Sequence, residues 1–211
     1  PASSSATCGI GHTRWSTHGK PTDENAHPHV DCAGEIAVVH NGIIDNYDAL
    51  REALEADGHR FSSETDTEVI PHLLEDELTA GGDLREAVER VVSRLEGSFA
   101  VGAVAKDRSE VVAARRDSPL VVGHGDDGGF VASDVTAFLE HTRRVSYLED
   151  GDVVHLTGDG VTVYHDGEPV DRPVETVDWE ADAAEKGGYE HYMLKEIHEQ
   201  PHALRQTLSG R

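Results

Sequence analysis

Apolar residues in the first half of the chain recur at helical spacing. Leu84, Val88 and Val91 repeat every three or four positions, as one face of an amphipathic helix requires. Asp83 stands where a helix cap is needed, and Gly97 is a natural stop. Together with two similar stretches upstream, this spacing predicts three helices, over Tyr47–Asp57, Thr67–Thr79 and Leu84–Leu95.

The pattern on either side of these helices is typical of β-strands. Val38–His40 and the residues before it form a short apolar run stopped by Asn41-Gly42, which predicts a buried strand ending in a turn. A strand followed by helices and then by many strands favours a layered α+β domain. The strands predicted after Gly97 are Phe99–Ala105, Val111–Arg115, Leu120–Gly123, Gly129–Ala132, Val145–Leu148, Val153–Leu156 and Val161–Tyr164.

Charge narrows the class of protein. The chain has 41 acidic and 18 basic residues, a formal charge of −23, and only four of the basic residues are lysines. Because molar salt screens the self-repulsion of such a surface, we expect a halophilic protein, with an acidic mesophilic protein as the alternative. A surface without a basic face argues against nucleic-acid or anionic-membrane partners.

The composition also indicates in which cellular compartment the protein is expected. No segment approaches about eighteen consecutive apolar residues, and the start has neither a basic nor an apolar signal-peptide region. Two cysteines, Cys8 and Cys32, do not make a disulfide framework. We therefore expect a cytoplasmic protein.

Polar residues suited to a free amino acid concentrate in three segments. Arg14 can meet an α-carboxylate with two parallel hydrogen bonds, and Asp66 can pair with an α-ammonium group. Thr17 and His18 follow Arg14 closely enough for a loop to fold them onto the same carboxylate. Taken singly, Arg14 or Asp66 is more often part of a surface ion pair. The three segments are 11–29, 40–46 and 63–70.

The pair Asn41-Gly42 offers a different kind of group. Its amide side chain and sterically open backbone N–H are two donors that can stabilise the oxyanion formed when an amide carbon is attacked. Taken alone, an Asn-Gly pair is usually only a turn.

Read together, these segments resemble the glutaminase domain of the glutamine–fructose-6-phosphate aminotransferases, a class II glutamine amidotransferase. The resemblance covers essentially the whole chain. The related amidophosphoribosyltransferase and asparagine synthetase families share the general plan, but Trp15 and the NAHPH segment resemble the fructose-6-phosphate branch. The matching segments are HTRWSTHG, NAHPH, HNGIIDN, SETDTEV and HYMLKEIHEQP.

The resemblance implies a fold and a division of the chain. The fold would be α+β, an N-terminal-nucleophile hydrolase-like four-layer αββα sandwich, here missing its first strands. Residues 1–180 would form the partial glutaminase domain, and residues 181–211 a C-terminal helical segment leading to a linker. Ammonia from glutamine would pass to a sugar-phosphate isomerase domain to make glucosamine 6-phosphate, in an enzyme expected to be a homodimer.

The resemblance also implies roles for individual residues. Asn41 and Gly42 would form the oxyanion hole, and Trp15 would lie on a mobile loop that closes the site. The residues that would hold glutamine are Arg14, Thr17, His18 and Asp66.

The chain departs from the family pattern at the nucleophile. That residue is a cysteine at the mature amino terminus, whose α-amine can act as general base, whereas this sequence begins with Pro1. Cys8 is a poor substitute, because six extended steps place it about 20 Å from Arg14, and Cys32 is no better. We expect little or no glutaminase activity from the isolated chain. The alternatives are a non-catalytic glutamine- or glutamate-binding remnant and a glutaminase domain of an amidophosphoribosyltransferase-like enzyme.

No metal and no cofactor is expected. His27 and His29 flank Pro28, but no histidine spacing matches a ligand pattern on one helix face. The family resemblance accounts for these positions without a metal. The stretch Gly123–Gly129 is glycine-rich, but its two aspartates would repel a phosphate, so a loop is expected there.

Overall fold

Two antiparallel β-sheets organise the molecule. The structure, a computed structural model, describes residues 6–13, 19–126, 128–178, 191, 193–194, 196–198 and 200–201. The strands are β1 (His29–Val30), β2 (Ile36–Ile44), β3 (Gly97–Ala105), β4 (Glu110–Arg116), β5 (Val121–His124), β6 (Gly129–Ala132), β7 (Arg144–Tyr147), β8 (Asp152–Thr157), β9 (Gly160–His165), β10 (Glu168–Val170) and β11 (Glu175–Thr176). The helices are α1 (Tyr47–Ala56), α2 (Val69–Thr79) and α3 (Leu84–Arg94), with a 3-10 helix at Val135–Ala137.

The large sheet has seven strands in the order β1-β2-β3-β4-β8-β9-β10, and the small sheet has four in the order β11-β7-β5-β6. Alternation along β3 and β4 gives the large sheet two apolar faces. Val101 and Val112 face the core that includes the three helices, whereas Ala100 and Ala113 face the core shared with the small sheet. The described part of the chain is therefore layered as helices, large sheet and small sheet.

The three predicted helices are confirmed, with small shifts at their ends. The Asp83 carboxylate accepts a hydrogen bond from the backbone N–H of Glu86 at 2.7 Å, which is the predicted cap of α3. Helix α2 begins at Val69 instead of Thr67. The hydroxyl of Thr67 is engaged with the imidazoles of His27 and His40, and the residue belongs to the loop that precedes the helix.

The predicted turn at Asn41-Gly42 is wrong. Strand β2 continues through both residues to Ile44, and all nine of its residues pair with β3 in the same register. Asn41 lies opposite Ala100, and Gly42 lies opposite Phe99. The long partner strand keeps both residues paired in the sheet where the local sequence favours a turn.

Seven strands predicted after Gly97 are present with ends shifted by up to two residues. The three short strands β1, β10 and β11 were not predicted, because two or three residues at a sheet edge carry no recognisable period. Within the predicted loop Gly123–Gly129, residues 125, 126 and 128 connect β5 and β6, whereas Gly123, His124 and Gly129 belong to the paired strands.

Most of the predicted C-terminal segment 181–211 lies outside the described residues. Residues 193–194, 196–198 and 200–201 are helical, in agreement with the sequence pattern. Among the residues that the structure describes, no helix is long and apolar enough to cross a bilayer.

Candidate active site

The side chain of Asn41 is held by a histidine. Its Oδ1 lies 2.8 Å from Nε2 of His12, which arrives on the segment before the first strand. Because an amide oxygen only accepts, this assignment places a proton on Nε2 of His12 and leaves the Nδ2 hydrogens of Asn41 as donors. His12 was not predicted in this role, and nothing in the sequence pairs two residues that are 29 positions apart.

Gly42 lies close to the backbone of β3. Its φ is +121°, a region that residues with a side chain rarely adopt. A Cβ at this position would lie 2.1 Å from the backbone oxygen of Ser98. Glycine is therefore required here by both the backbone angle and the neighbouring strand.

Asp66 is fixed at the end of the same strand. Its carboxylate Oδ2 accepts a hydrogen bond from the backbone N–H of Ile44 at 2.9 Å, and the residue is only 3% exposed. Ile44 is three residues beyond Asn41, which corresponds to about 10 Å along a strand. Asp66 is therefore held beside the end of the strand that carries Asn41 and Gly42.

Four histidines pack together beside Asp66. The ring centroids of His12 and His27 are 4.2 Å apart, and those of His27 and His29 are 4.8 Å apart. Two threonines hold them in place: Thr65 Oγ1 lies 3.0 Å from His29 Nε2. The Thr67 hydroxyl lies 3.1 Å from Nε2 of His27 and 2.8 Å from Nδ1 of His40.

The loop that carries these threonines is anchored by Glu68. Its carboxylate accepts hydrogen bonds from the backbone N–H groups of Ser62 and Ser63, both at 2.7 Å. Burial acts to raise the pKa of Glu68, but the His72 imidazole and the hydrogen bonds from both serines outweigh it and lower the pKa to about 2. Glu68 is therefore charged at neutral pH. Its hydrogen bonds hold in place the loop that leads to Asp66.

A cavity of about 440 Å³ lies between the two sheets. Its wall is formed mainly by small and apolar residues of β2, β3, β4 and β6, and His12 and Asn41 contribute polar atoms to it. This volume is within the usual range for small-molecule pockets. The polar pair therefore borders a space large enough for an amino acid.

Neither cysteine is close to Asn41. The Cys8 sulfur lies 3.7 Å from the backbone oxygen of Arg108, beyond the end of β3 that pairs with Ile36. The contact with Asn41 is made by His12, four residues after Cys8 in the chain. Cys8 is partly buried and packs against the core between the two sheets.

The structure thus brings together Asn41, Gly42 and Asp66 at one end of β2. The other four predicted site residues lie outside the described part of the chain, and their placement is not described: Arg14, Trp15, Thr17 and His18.

Burial of His40 makes stability depend on pH. Desolvation lowers the pKa of His40 from 6.5 to about 4; Asp66 opposes this shift, and the nearby imidazoles of His12 and His29 add to it. The unfolded chain binds this proton near pH 6.5 and the folded chain does not, so stability is complete above pH 6.5 and declines toward pH 4. We expect a loss on the order of 3 kcal/mol across this range.

Urea unfolding at fixed KCl and several pH values measures this loss. The variant His40→Gln is expected to flatten the dependence between pH 6.5 and 4, whereas His191→Gln at an exposed position is expected to leave it unchanged. Equal slopes in wild type and His40→Gln would contradict the assignment.

A model of the glutamine amidotransferase domain family matches residues 12–140, more than half of the chain. The chain belongs to this family. The amidotransferase domain has relatives named glutamine–fructose-6-phosphate aminotransferase (isomerizing). The one from Halobacterium salinarum is 62% identical over 211 residues, which is 100% of this chain and 35% of the relative. The one from Thermus thermophilus is 58% identical over 204 residues, 96% of this chain and 33% of the relative.

The chain therefore spans about a third of the length of these curated relatives. The amidotransferase domain also shares its fold with solved structures. Glutamine phosphoribosylpyrophosphate amidotransferase from B. subtilis, complexed with ADP and GMP, aligns with a TM-score of 0.61 at 26% identity, over 73% of this chain and 34% of that one. A glutamine aminotransferase class-II domain protein from Silicibacter pomeroyi aligns with a TM-score of 0.51 at 18% identity, over 66% and 70% of the two chains, and shows the fold alone. The predicted α+β, N-terminal-nucleophile hydrolase-like fold is confirmed.

Proposed function

We propose that this amidotransferase domain binds glutamine at the end of β2 and supports its hydrolysis to glutamate and ammonia. The observation that carries the proposal is the placement of an oriented amide and a glycine near the end of β2, with a buried carboxylate bonded to the last residue of that strand: Asn41, Gly42 and Asp66. A cavity of about 440 Å³ adjoins Asn41.

In this proposal the two ends of glutamine meet different groups. Asp66 pairs with the α-ammonium group, and Arg14 grips the α-carboxylate with two parallel hydrogen bonds. Thr17 and His18 add contacts to that carboxylate, and Trp15 closes the site. The roles proposed for Arg14, Trp15, Thr17 and His18 follow from the family resemblance.

The reaction is an acyl transfer through a thioester. A thiolate attacks the amide carbon, and Nδ2 of Asn41 and the backbone N–H of Gly42 stabilise the tetrahedral oxyanion. Collapse expels the amide nitrogen, which takes a proton and leaves as ammonia, and water then releases glutamate and the thiol. Since neither Cys8 nor Cys32 lies beside Asn41, the attacking thiol is proposed to come from outside these 211 residues.

The names of the relatives support a wider proposal. The ammonia would be transferred to fructose 6-phosphate, which makes glucosamine 6-phosphate, on a sugar-phosphate isomerase domain within a homodimer. Residues 1–180 would be the glutaminase domain, and residues 181–211 would lead to that partner domain. The acidic surface is proposed to suit a salt-rich cytoplasm.

Glutamate release from glutamine tests the proposal. The protein isolated from its natural source and purified in molar KCl is expected to hydrolyse glutamine at about 1–1000 per second. The 211-residue chain alone is expected to show little or no hydrolysis. Glutamate binding to that chain without turnover in either form would favour the non-catalytic binding module. No binding and no turnover would reject both.

Loss of the carboxylate clamp should weaken ligand binding. The variant Arg14→Ala is expected to reduce glutamate affinity by about 2–3 kcal/mol, because a hydrogen-bonded charge pair is removed. Isothermal titration calorimetry measures the effect, with Arg94→Ala at an exposed helix end as the matched control. Affinity that is the same in both variants would remove Arg14 from the site.

A further inference from the structure

Four donor side chains from three separate segments converge beside α2. One lies in the turn after β1, one in the loop after α1, and two on α2 itself. We propose that they form a structural Zn²⁺ site: Cys32, His59, His72 and Glu75. The donor atoms of all four lie within 4.8 Å of one another.

Five of the six donor–donor distances are close to those of a tetrahedral site. The Cys32 sulfur lies 3.7 Å from Nδ1 of His59 and 3.6 Å from Nδ1 of His72, and the two imidazole nitrogens are 3.3 Å apart. Oε2 of Glu75 lies 3.2 Å and 3.6 Å from the same two nitrogens. Ordinary Zn–S, Zn–N and Zn–O bonds at the tetrahedral angle require about 3.6 Å from S to N or O, and about 3.3 Å between two nitrogens or between N and O.

Both histidines present Nδ1 to the centre and Nε2 to a carboxylate. Nε2 of His59 lies 3.0 Å from Oδ1 of Asp76, and Nε2 of His72 lies 3.9 Å from Oε1 of Glu68. A carboxylate that is hydrogen-bonded to a ligating imidazole fixes the ring orientation, as Asp76 does for His59, whereas the His72–Glu68 contact is too long for a hydrogen bond.

The backbone N–H of Arg60 donates a hydrogen bond to the Cys32 sulfur at 3.4 Å. The mixed S, N and O donor set in tetrahedral geometry favours Zn²⁺ over harder cations such as Mg²⁺ or Ca²⁺. Four protein donors leave no open position, which indicates a structural centre and not a catalytic one.

This site departs from the expectation of no metal. That expectation considered the histidines near Pro28, whereas the ligands here are far apart in the sequence, 27 positions between Cys32 and His59 and 13 between His59 and His72. A bound ion would tie together the turn after β1, the loop after α1 and helix α2. Glu68, near the start of α2, also bonds the loop before Asp66. A bound ion would therefore restrict the movement of α2 relative to that loop.

Cobalt substitution tests the site directly. The purified protein is stripped with a chelator in molar KCl and titrated with Co²⁺. We expect one equivalent to produce the d–d bands of tetrahedral cobalt and a thiolate-to-cobalt charge-transfer band, both lost when Zn²⁺ is added. We also expect Zn²⁺ to raise the Tm. Several weak equivalents with an octahedral spectrum, or no charge-transfer band, would overturn the proposal.

Matched variants identify the ligands. Cys32→Ser, at an exposed position, is expected to lose the charge-transfer band and more than about 100-fold in Zn²⁺ affinity, whereas Cys8→Ser keeps both. Asp76→Asn is expected to weaken Zn²⁺ binding about 10–100-fold, and Asp57→Asn at the exposed end of α1 to leave it unchanged. Loss of the band in Cys8→Ser with retention in Cys32→Ser, or wild-type affinity in Asp76→Asn, would count against the site.

Discussion

Replacing Asn41 by alanine is expected to lower kcat for glutamine hydrolysis about 10²–10³-fold, which corresponds to about 2.7–4 kcal/mol of transition-state stabilisation. The reason is that an oxyanion donor acts on charge that develops only in the transition state. KM should change little, because the ground-state carbonyl makes a weaker bond to the same donor. Glutamate release by the protein as its cell makes it measures both constants.

Asn46 provides the matched control for this prediction. It is another asparagine near the same strand, but its amide bridges the end of α3, with Nδ2 donating to the backbone oxygen of Arg94 and Oδ1 accepting from the N–H of Glu96. Asn46→Ala is therefore expected to lower the free energy of unfolding by about 1–2 kcal/mol and to leave kcat unchanged. The opposite pattern is expected for Asn41→Ala, since Asn41 is exposed. Equal kcat values in the two variants would reject the oxyanion role of Asn41.

Gly42→Ala is expected to cost about 4 kcal/mol or more of the free energy of unfolding, a large share of the total for an ordinary domain. A methyl group at this position meets the backbone of β3, with Ser98 O at 2.1 Å and Phe99 Cα at 3.0 Å. Backbone atoms cannot rotate away as a side chain can, so the two strands must separate. The positive φ of +121° adds about 1–3 kcal/mol of strain.

Two other glycines separate the two causes. Gly160 has a comparable φ of +136° but no atom within 4 Å of an added Cβ, so Gly160→Ala reports the strain alone. Gly158 has open space and no positive φ, so Gly158→Ala should be close to neutral. Urea midpoints at constant m-value measure all three variants. If Gly42→Ala costs no more than Gly160→Ala, the close approach to Ser98 does not decide the choice of glycine.

The helices show how far local patterns reach. Apolar spacing and the Asp83 cap predicted α3 to within one residue, because both signals act within a few residues of the chain. The Asn41-Gly42 turn was predicted by the same kind of local reasoning and was wrong, because β3 keeps both residues paired in the sheet. A neighbouring strand of nine residues outweighs a two-residue preference.

The candidate active site divides in the same way. The family resemblance identified Asn41, Gly42 and Asp66 because they lie in sequence motifs that match the family. The structure places all three near one end of β2. The His12–Asn41 bond could not be predicted, because it joins chain positions that only the path of the first segment brings together.

By itself, the sequence determined the periodic elements, the acidic surface and the membership of the glutamine amidotransferase domain family, since these depend on residue types and on spacing along the chain. Tertiary structure alone decided that β2 runs on to Ile44, that His12 orients Asn41, and that Cys32 meets two distant histidines. The physical reason is that these contacts depend on strand register and layer packing, where a shift of one residue turns a side chain to the opposite face.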